Sequence, residues 1–150
     1  MERLEGIPYD VVIQRVSFTD ALNLIRQGEF DYEKPLSQMI DIDSCADKWS
    51  RLANFLIVKD NDVLVALLVF YENIEKGFVY VTHFVVSSKY RNKGIGQKVL
   101  KYLHGYAMTI EGKCIELEVI KNTSAYHLYN KLGYAVIENR DNKFLMQFRL

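Results

Sequence analysis

The chain carries no excess of charge of either sign, because nineteen lysine and arginine residues balance nineteen aspartate and glutamate residues. A protein that is drawn to nucleic acid or to an anionic membrane by general electrostatic attraction needs a surplus of positive charge. We therefore expect no nucleic-acid partner and no membrane partner. A polyanion could therefore bind only at a local site and not through the net charge of the protein.

Cysteine and proline are both scarce, with two residues of each type. Cys45 and Cys114 are too few and too far apart in sequence for a metal cluster, and Cys114 begins an apolar run that favours a buried free thiol. Pro8 and Pro35 both lie near the start of the chain. The sequence predicts no metal site and a reducing compartment.

Long hydrophobic runs are absent as well. No apolar stretch reaches the roughly eighteen residues of a membrane span, and the first residues lack the apolar core of a signal peptide. No internal repeat or low-complexity tract divides the chain. These features predict a cytoplasmic location. Because the chain has 150 residues, of which 49% are hydrophobic and 25% are charged, we expect one domain with its own core over residues 1–150.

Strand-like and helix-like segments alternate along the chain. Strands are predicted at 11–16, 55–59, 63–71, 78–86, 115–120, 134–138 and 144–148, and helices at 20–27, 35–51, 97–108 and 124–132. The first helix is expected to begin at Thr19 or Asp20 and to stop at Gly28, and the second to be interrupted between Asp41 and Ser44.

The order of these elements predicts a mixed α/β fold. Most strands follow one another through short turns, so we expect a largely antiparallel sheet of six to seven strands flanked by about four helices. Strand 78–86, helix 97–108 and strand 115–120 form a βαβ unit, which makes those two strands parallel. Ligands favour the carboxyl ends of such strands.

The segment Arg91-Asn92-Lys93-Gly94-Ile95-Gly96 lies at such an end and opens a helix. The first N–H groups of a helix lack intrahelical partners, and the helix dipole adds partial positive charge, so an anion is favoured there. The glycines let backbone approach a ligand, and Arg91 and Lys93 bring charge. The spacing excludes the P-loop and the dinucleotide fingerprint. The segment predicts a polyphosphate-binding turn, called the cradle below and comprising residues 91–96, although Gly-x-Gly alone also fits an ordinary turn.

Two segments in register resemble the GNAT superfamily of N-acetyltransferases. Residues 86–100 resemble its acetyl-CoA-binding segment, with the core Arg/Gln-x-x-Gly-x-Gly/Ala, and residues 122–134 resemble its Asn-x-x-Ala-x-x-Leu-Tyr-x-x-x-Gly-Phe segment. The resemblance implies a sheet splayed around the parallel pair. It also implies transfer of an acetyl group from acetyl-CoA to a primary amine by direct attack in a ternary complex.

The resemblance further implies which residues hold acetyl-CoA. The backbone at the end of strand 78–86 would pair with the pantetheine arm, and the cradle would hold the pyrophosphate. The expected cofactor-binding residues are Phe84, Val85, Val86, Arg91, Asn92, Lys93, Gly94, Ile95, Gly96, Gln97, Asn122 and Tyr129. Asn122 can instead cap the following helix in competition with Thr123.

Three residues are candidates for the chemistry. The family motif implies that Tyr129 donates a proton to the departing thiolate, although its place on an amphipathic helix also fits packing. Glu118 and His83 are candidate bases, and in some family members water passes the proton instead. Alternation along 78–86 predicts that His83 shares a face with Val81 and Val85, while Tyr80, Thr82 and Phe84 share the face of Val86.

The acceptor is less defined by the sequence. Trp49, Phe70, Tyr71 and Tyr80 would line an acceptor pocket or belong to the core. Residues 70–73 and 80–84 resemble members that acetylate amino sugars, so the expected acceptor is the primary amine of a small molecule, with an amino sugar as one candidate, or of a polypeptide. A monomer or a homodimer fits the family. The alternative function is a non-catalytic acyl-CoA-binding or regulatory module that kept the cradle.

Overall fold

A computed structural model describes residues 2–4, 6, 8–28 and 36–150. The strands are β1 (Glu2–Arg3), β2 (Asp10–Gln14), β3 (Asn54–Asp60), β4 (Val63–Asn73), β5 (Phe78–Val86), β6 (Cys114–Ile120), β7 (Ala135–Arg140) and β8 (Lys143–Arg149). The α-helices are α1 (Phe18–Gln27), α2 (Ile42–Leu52), α3 (Ile95–Thr109) and α4 (Ser124–Lys131). Within the described ranges, every helix falls short of the length and apolarity that crossing a bilayer requires.

One sheet contains all the strands, in the order β1-β2-β3-β4-β5-β6-β8-β7. The pair β5–β6 is parallel and the other neighbours are antiparallel, which confirms the predicted mixed fold with one parallel pair. The strand β1 was not predicted, because two residues are too few to show a hydrophobic alternation.

Two helix pairs cover opposite faces of the sheet. On the α3/α4 face, Leu68, Phe70 and Val81 pack with Leu100 and Leu103 of α3. The α1/α2 face has its own cluster, in which Phe55, Leu67, Val69 and Val85 of the sheet pack with Ala21, Ile25, Ala46 and Trp49 of the helices. Fully burying a large apolar side chain contributes about 1.5–3 kcal/mol, so the two clusters fix both helix pairs on the sheet.

The capping residues of the first two helices differ from the prediction. Ser17 caps α1, because its Oγ accepts a hydrogen bond from the Asp20 N–H at 3.2 Å, so the predicted start at Thr19 or Asp20 is wrong. Gly28 ends the helix as predicted. Asp41 caps α2 by accepting from the Ser44 N–H at 3.1 Å, so the expected interruption is the start of this helix. Residue 35, where the predicted helix began, lies outside the described residues.

A β-bulge in β5 reverses the predicted side-chain faces. Val81 pairs with Phe70 and His83 pairs with Val69, so Thr82 is an extra residue between them. Val81 consequently packs on the α3/α4 face, whereas His83 lies against Trp49 on the α1/α2 face. The prediction that put His83 and Val81 on one face is wrong, because period-two alternation does not continue through a bulge.

The same bulge separates Tyr80 from Phe84 and Val86, which alternation had placed on one face of the sheet. Tyr80 pairs with Tyr71, whose ring packs on the α1/α2 cluster, so Tyr80 also faces that side. Phe84 and Val86 pack on the α3/α4 face. Tyr80 and His83 therefore share a face, contrary to the prediction from the sequence.

Candidate functional site

The parallel strands β5 and β6 separate at the bulge. Their pairing joins Phe78–Val81 to Cys114–Leu117 and does not continue beyond Leu117. Past this point the described part of the sheet has a gap between β5 and β6, where no described strand pairs with Phe84 to Val86 on that side. Such a gap offers N–H and C=O groups to an extended chain that carries amides. The predicted splay around the parallel pair is confirmed.

The cradle lies at the carboxyl end of β5, where α3 begins. Gly94 is the N-cap with φ 73°, and Lys98 N–H bonds to its carbonyl at 3.2 Å. The preceding N–H groups of α3, from Ile95 to Gln97, come before the first intrahelical bond and are the natural anion donors. Gly94 and Gln97 also line an open cavity of about 780 Å³ along α3.

The two cradle glycines serve different purposes. A Cβ at Gly94 would meet no atom within 4 Å, so glycine is required there by the left-handed backbone. At Gly96 a Cβ would lie 3.2 Å from Leu128 Cδ2 of α4 and 3.9 Å from Val86 Cγ2. Gly96 thus permits the close approach of α3, α4 and the end of β5.

Side chains of neighbouring elements hold the cradle in place. The Tyr90 hydroxyl donates to Asp60 Oδ2 at 3.0 Å, which ties the cradle to the end of β3. Lys93 Nζ lies 5.5 Å from the centre of the Tyr90 ring, and Arg91 Nε donates to the Val86 carbonyl at 3.2 Å. The cradle is therefore anchored both to the β3–β4 hairpin and to the gap.

Replacing Tyr90 by phenylalanine should weaken the binding of acetyl-CoA. The variant removes the hydrogen bond to Asp60 and lets the cradle sample other positions, so we expect a dissociation constant roughly threefold to tenfold higher. Isothermal titration calorimetry with acetyl-CoA measures the change. Asp62→Asn, in the same hairpin turn and exposed, is the control. Equal weakening in the two variants would contradict an anchoring role.

Tyr129 lies on α4 and is only 6% exposed, with its ring 5.5 Å from that of Tyr134. Burial raises the pKa of Tyr129 above its ordinary value, so the hydroxyl is protonated at neutral pH and can donate a proton. The helix begins at Thr123, whose Oγ1 accepts from the Tyr126 N–H at 3.2 Å. Asn122 therefore does not cap α4; it has a left-handed backbone with φ 61° in the preceding turn.

A polar pair of buried Tyr134 and half-buried His104 lies next to Tyr129. The Tyr134 hydroxyl and His104 Nε2 are 2.8 Å apart, and the His104 ring stacks on Phe148 with centroids 4.2 Å apart. Burial, followed by the charge of Lys101, lowers the pKa of His104 to about 4, so the imidazole is neutral at physiological pH. Sequence reasoning gave His104 no role, because a helical histidine among polar neighbours carries no signal of such a contact.

Glu118 lies on the sheet face opposite Tyr129. Leu117 and Val119 pack on the α3/α4 cluster, so Glu118 between them faces the other way. Arg140 Nη1 lies 3.2 Å from Glu118 Oε2, and the Glu118 side chain is 32% exposed. Burial raises the pKa of Tyr80, and the nearby Glu118 carboxylate raises it further. The candidate acid and this candidate base therefore lie on opposite faces of the sheet.

His83, the other candidate base, is 8% exposed and its ring lies 5.1 Å from that of Trp49. Burial lowers the pKa of His83 to about 4, so the imidazole is neutral between pH 5 and pH 8. A group with so low a pKa accepts a proton weakly at neutral pH, which makes His83 a poorer base than its residue type indicates.

Burial of His83 predicts a loss of stability in acid. The unfolded chain binds a proton at this residue near pH 6.5 and the folded protein near pH 4, so between these values the unfolded state binds more protons. The free energy of unfolding should fall by about 2 kcal/mol from this group between pH 7 and pH 5. Urea denaturation measures it. His83→Gln should show a correspondingly shallower pH dependence, and an equally steep one would contradict the prediction.

The aromatic residues expected around an acceptor are divided between the two faces. Trp49, Tyr71 and Tyr80 lie on the α1/α2 side, whereas Phe70 packs on the α3/α4 face against Tyr106, with centroids 5.6 Å apart. Phe70 is thus part of the core. Lys48 Nζ lies 5.7 Å from the centre of the Tyr71 ring.

The Tyr71 hydroxyl is the one buried side-chain oxygen or nitrogen, among the residues that the structure describes, without a hydrogen-bond partner. Leaving such a group unpaired costs about 1–3 kcal/mol, and buried polar groups in folded proteins are nearly always paired. No sequence pattern indicates an unpaired hydroxyl, because this state depends on all of its neighbours in space.

Comparisons with known proteins agree with this architecture. A family model described as the acetyltransferase (GNAT) family matches residues 19–134. The ribosomal-protein-S18-alanine N-acetyltransferase of Escherichia coli superposes with a TM-score of 0.74 at 17% identity, covering 93% of this chain and 94% of that one. No curated protein sequence matches significantly.

Two archaeal structures are also similar. The PaiA N-acetyltransferase of Thermoplasma acidophilum, solved in complex with coenzyme A, has a TM-score of 0.73 at 15% identity and covers 94% of this chain and 99% of that one. A protein of Pyrococcus horikoshii OT3 has a TM-score of 0.70 at 26% identity, covering 94% and 99% of the two chains. These likenesses concern the fold.

Proposed function

Because this chain belongs to the acetyltransferase (GNAT) family, whose model matches residues 19–134, we propose that it transfers an acetyl group from acetyl-CoA to a primary amine in a ternary complex. The observation that carries the proposal is the gap between β5 and β6, which opens beside the N-terminus of α3. An anion-binding helix end next to unpaired strand backbone suits a ligand with a diphosphate and an amide-bearing arm.

Acetyl-CoA would be held by the cradle and by the edge of β5. The N–H groups from Ile95 to Gln97 would bind the diphosphate, with Asn92, Gly94 and Gly96 shaping the turn and Arg91 and Lys93 adding charge. The backbone of Phe84, Val85 and Val86 would pair with the pantetheine amides, and Asn122 would border the arm. The coenzyme A complex of the similar PaiA fold supports this use of the fold.

The acceptor amine would reach the thioester of acetyl-CoA through the gap between β5 and β6. When the amine nitrogen attacks the thioester carbonyl, a C–N bond forms, the C–S bond breaks and the amine loses a proton. Tyr129, whose pKa is raised by burial, would give its hydroxyl proton to the departing thiolate. Glu118, on the opposite face of the sheet, would take the amine proton directly or through water. His83 is the less suitable base because burial keeps its pKa near 4.

The acceptor would approach from the α1/α2 side of the sheet. Tyr80, Glu116 and Glu118 project there, and Gln147 Nε2 donates to Glu116 at 2.9 Å. Carboxylates on this face suit an acceptor that arrives as an ammonium ion and must be deprotonated before attack. A small-molecule amine, including an amino sugar, or a polypeptide amine fits this description.

Titration calorimetry with acetyl-CoA, coenzyme A and dephospho-coenzyme A is the first test, followed by thiol release in the presence of a panel of amines. We expect micromolar binding of acetyl-CoA and amine-dependent release. No binding up to millimolar concentration would contradict the proposal. Binding without turnover on any amine, unaffected by Tyr129→Phe, would instead favour the non-catalytic acyl-CoA-binding module.

A further inference from the structure

The unpaired Tyr71 hydroxyl lies in the part of the molecule from which the acceptor would approach. Tyr71 pairs directly with Tyr80 across β4 and β5, so both rings lie on the same face. Tyr80 interacts with the Glu118 carboxylate, which we propose as the base. A continuous row of side chains thus leads from Glu118 through Tyr80 to Tyr71.

The Tyr71 hydroxyl is buried, and the groups around it leave it unpaired. The ring packs on the apolar α1/α2 cluster, which has no polar group positioned to bind the hydroxyl among the described residues. Lys48 Nζ lies over the Tyr71 ring, and Lys48 is exposed to solvent. Long exposed lysine side chains change rotamer rapidly, so Lys48 can leave this ring face without a change of the backbone, and an acceptor has to reach the hydroxyl past it.

We propose that the Tyr71 hydroxyl hydrogen-bonds a polar group of the acceptor other than the attacked amine, and so selects amines that carry a neighbouring hydroxyl or amide. This inference rests on the proposed acetyl transfer. A site built to hydrogen-bond a substrate group rejects analogues that lack this group strongly, because the protein group is then left unpaired.

Tyr71→Phe is expected to have opposite effects on stability and on selectivity. Removing an unpaired buried hydroxyl should leave the thermal midpoint unchanged or raise it by about 2–4 °C. Tyr106→Phe is the matched control, since the Tyr106 hydroxyl is hydrogen-bonded to Glu72, so its removal should lower the midpoint. Tyr106 lies on α3, away from the acceptor face.

Selectivity is measured with paired amines that differ by one polar group. We would compare kcat/KM for 2-aminocyclohexanol against cyclohexylamine, and for alaninamide against sec-butylamine. The wild-type protein should prefer the polar member of at least one pair by roughly 10²-fold, and Tyr71→Phe should reduce this ratio to below about tenfold. Tyr106→Phe should keep the wild-type ratio, and KM for acetyl-CoA should stay constant in Tyr71→Phe.

Each contrary result has a separate meaning. An unchanged ratio in Tyr71→Phe, or a midpoint that falls as far as in Tyr106→Phe, would overturn the assignment of Tyr71 while acetyl transfer stands. If the wild-type protein binds no acetyl-CoA and acetylates no amine, the proposed function fails, and this inference fails with it.

Discussion

Replacing Tyr129 by phenylalanine should lower kcat by about 10²-fold or more and leave KM for acetyl-CoA within about threefold. The hydroxyl is the only group that the substitution removes, and the ring keeps its contact with Tyr134. Because burial raises the pKa of Tyr129, the hydroxyl remains a proton donor across neutral and mildly alkaline pH. Without it, the thiolate departs unprotonated into a buried site, which is costly.

Tyr126→Phe is the matched control for this experiment. Tyr126 lies one turn earlier on α4 and packs against Phe144 with centroids 5.4 Å apart, so it tests general damage to the helix. Steady-state thiol release at saturating acetyl-CoA gives kcat for both variants, and thermal unfolding reports whether each is folded. If Tyr129→Phe and Tyr126→Phe turn over equally fast, Tyr129 is a packing residue.

Gly96→Asp should weaken acetyl-CoA binding by about 10²-fold or more. The new carboxylate would lie on the first turn of α3, at the N–H groups that would bind the diphosphate. Like charges about 4 Å apart at an effective dielectric of 20 repel by about 4 kcal/mol, and each 1.4 kcal/mol is a factor of ten in affinity. The Cβ would also lie 3.2 Å from Leu128 Cδ2, so α4 has to shift slightly.

Gly96→Asp should change the stability of the free protein less than it changes the affinity for acetyl-CoA. An acidic residue in the first turn of a helix interacts favourably with the helix dipole, and Leu128 Cδ2 is the end of a flexible side chain. Met108→Asp introduces the same residue farther along α3, where the side chain is 65% exposed and lies outside the cavity lined by Gly94 and Gln97, and serves as the control. Calorimetry compares the two affinities. Affinity within a few-fold of wild type for Gly96→Asp would mean that the cradle is an ordinary turn.

The positions of most elements followed from local patterns. The predicted strand 78–86 coincides with β5, and the helix predicted at 124–132 is α4, which ends at Lys131. The parallel pairing of β5 and β6 followed from the helix between them, since such a connection returns to the same sheet in a parallel direction. Each of these features depends on a continuous segment of the chain.

The errors share a different origin. Alternation placed Val81 and His83 on one face, but the bulge at Thr82 is created by pairing with β4. Phe70 and Tyr71 were grouped as one aromatic set, although consecutive residues of a strand face opposite sides and only the packing on each face gives them their surroundings. Pairing and packing of distant segments leave no periodic signal in the sequence.

The sequence by itself determined the cradle and the Tyr129 helix, because a glycine turn at a helix start and an amphipathic helix are specified within about fifteen consecutive residues. The tertiary structure alone decided that β5 and β6 separate at Thr82, that Tyr129 and Glu118 lie on opposite faces of the sheet, and that the Tyr71 hydroxyl is unpaired. These depend on strand register and on the packing of both helix pairs, which are set by contacts between residues far apart in the chain.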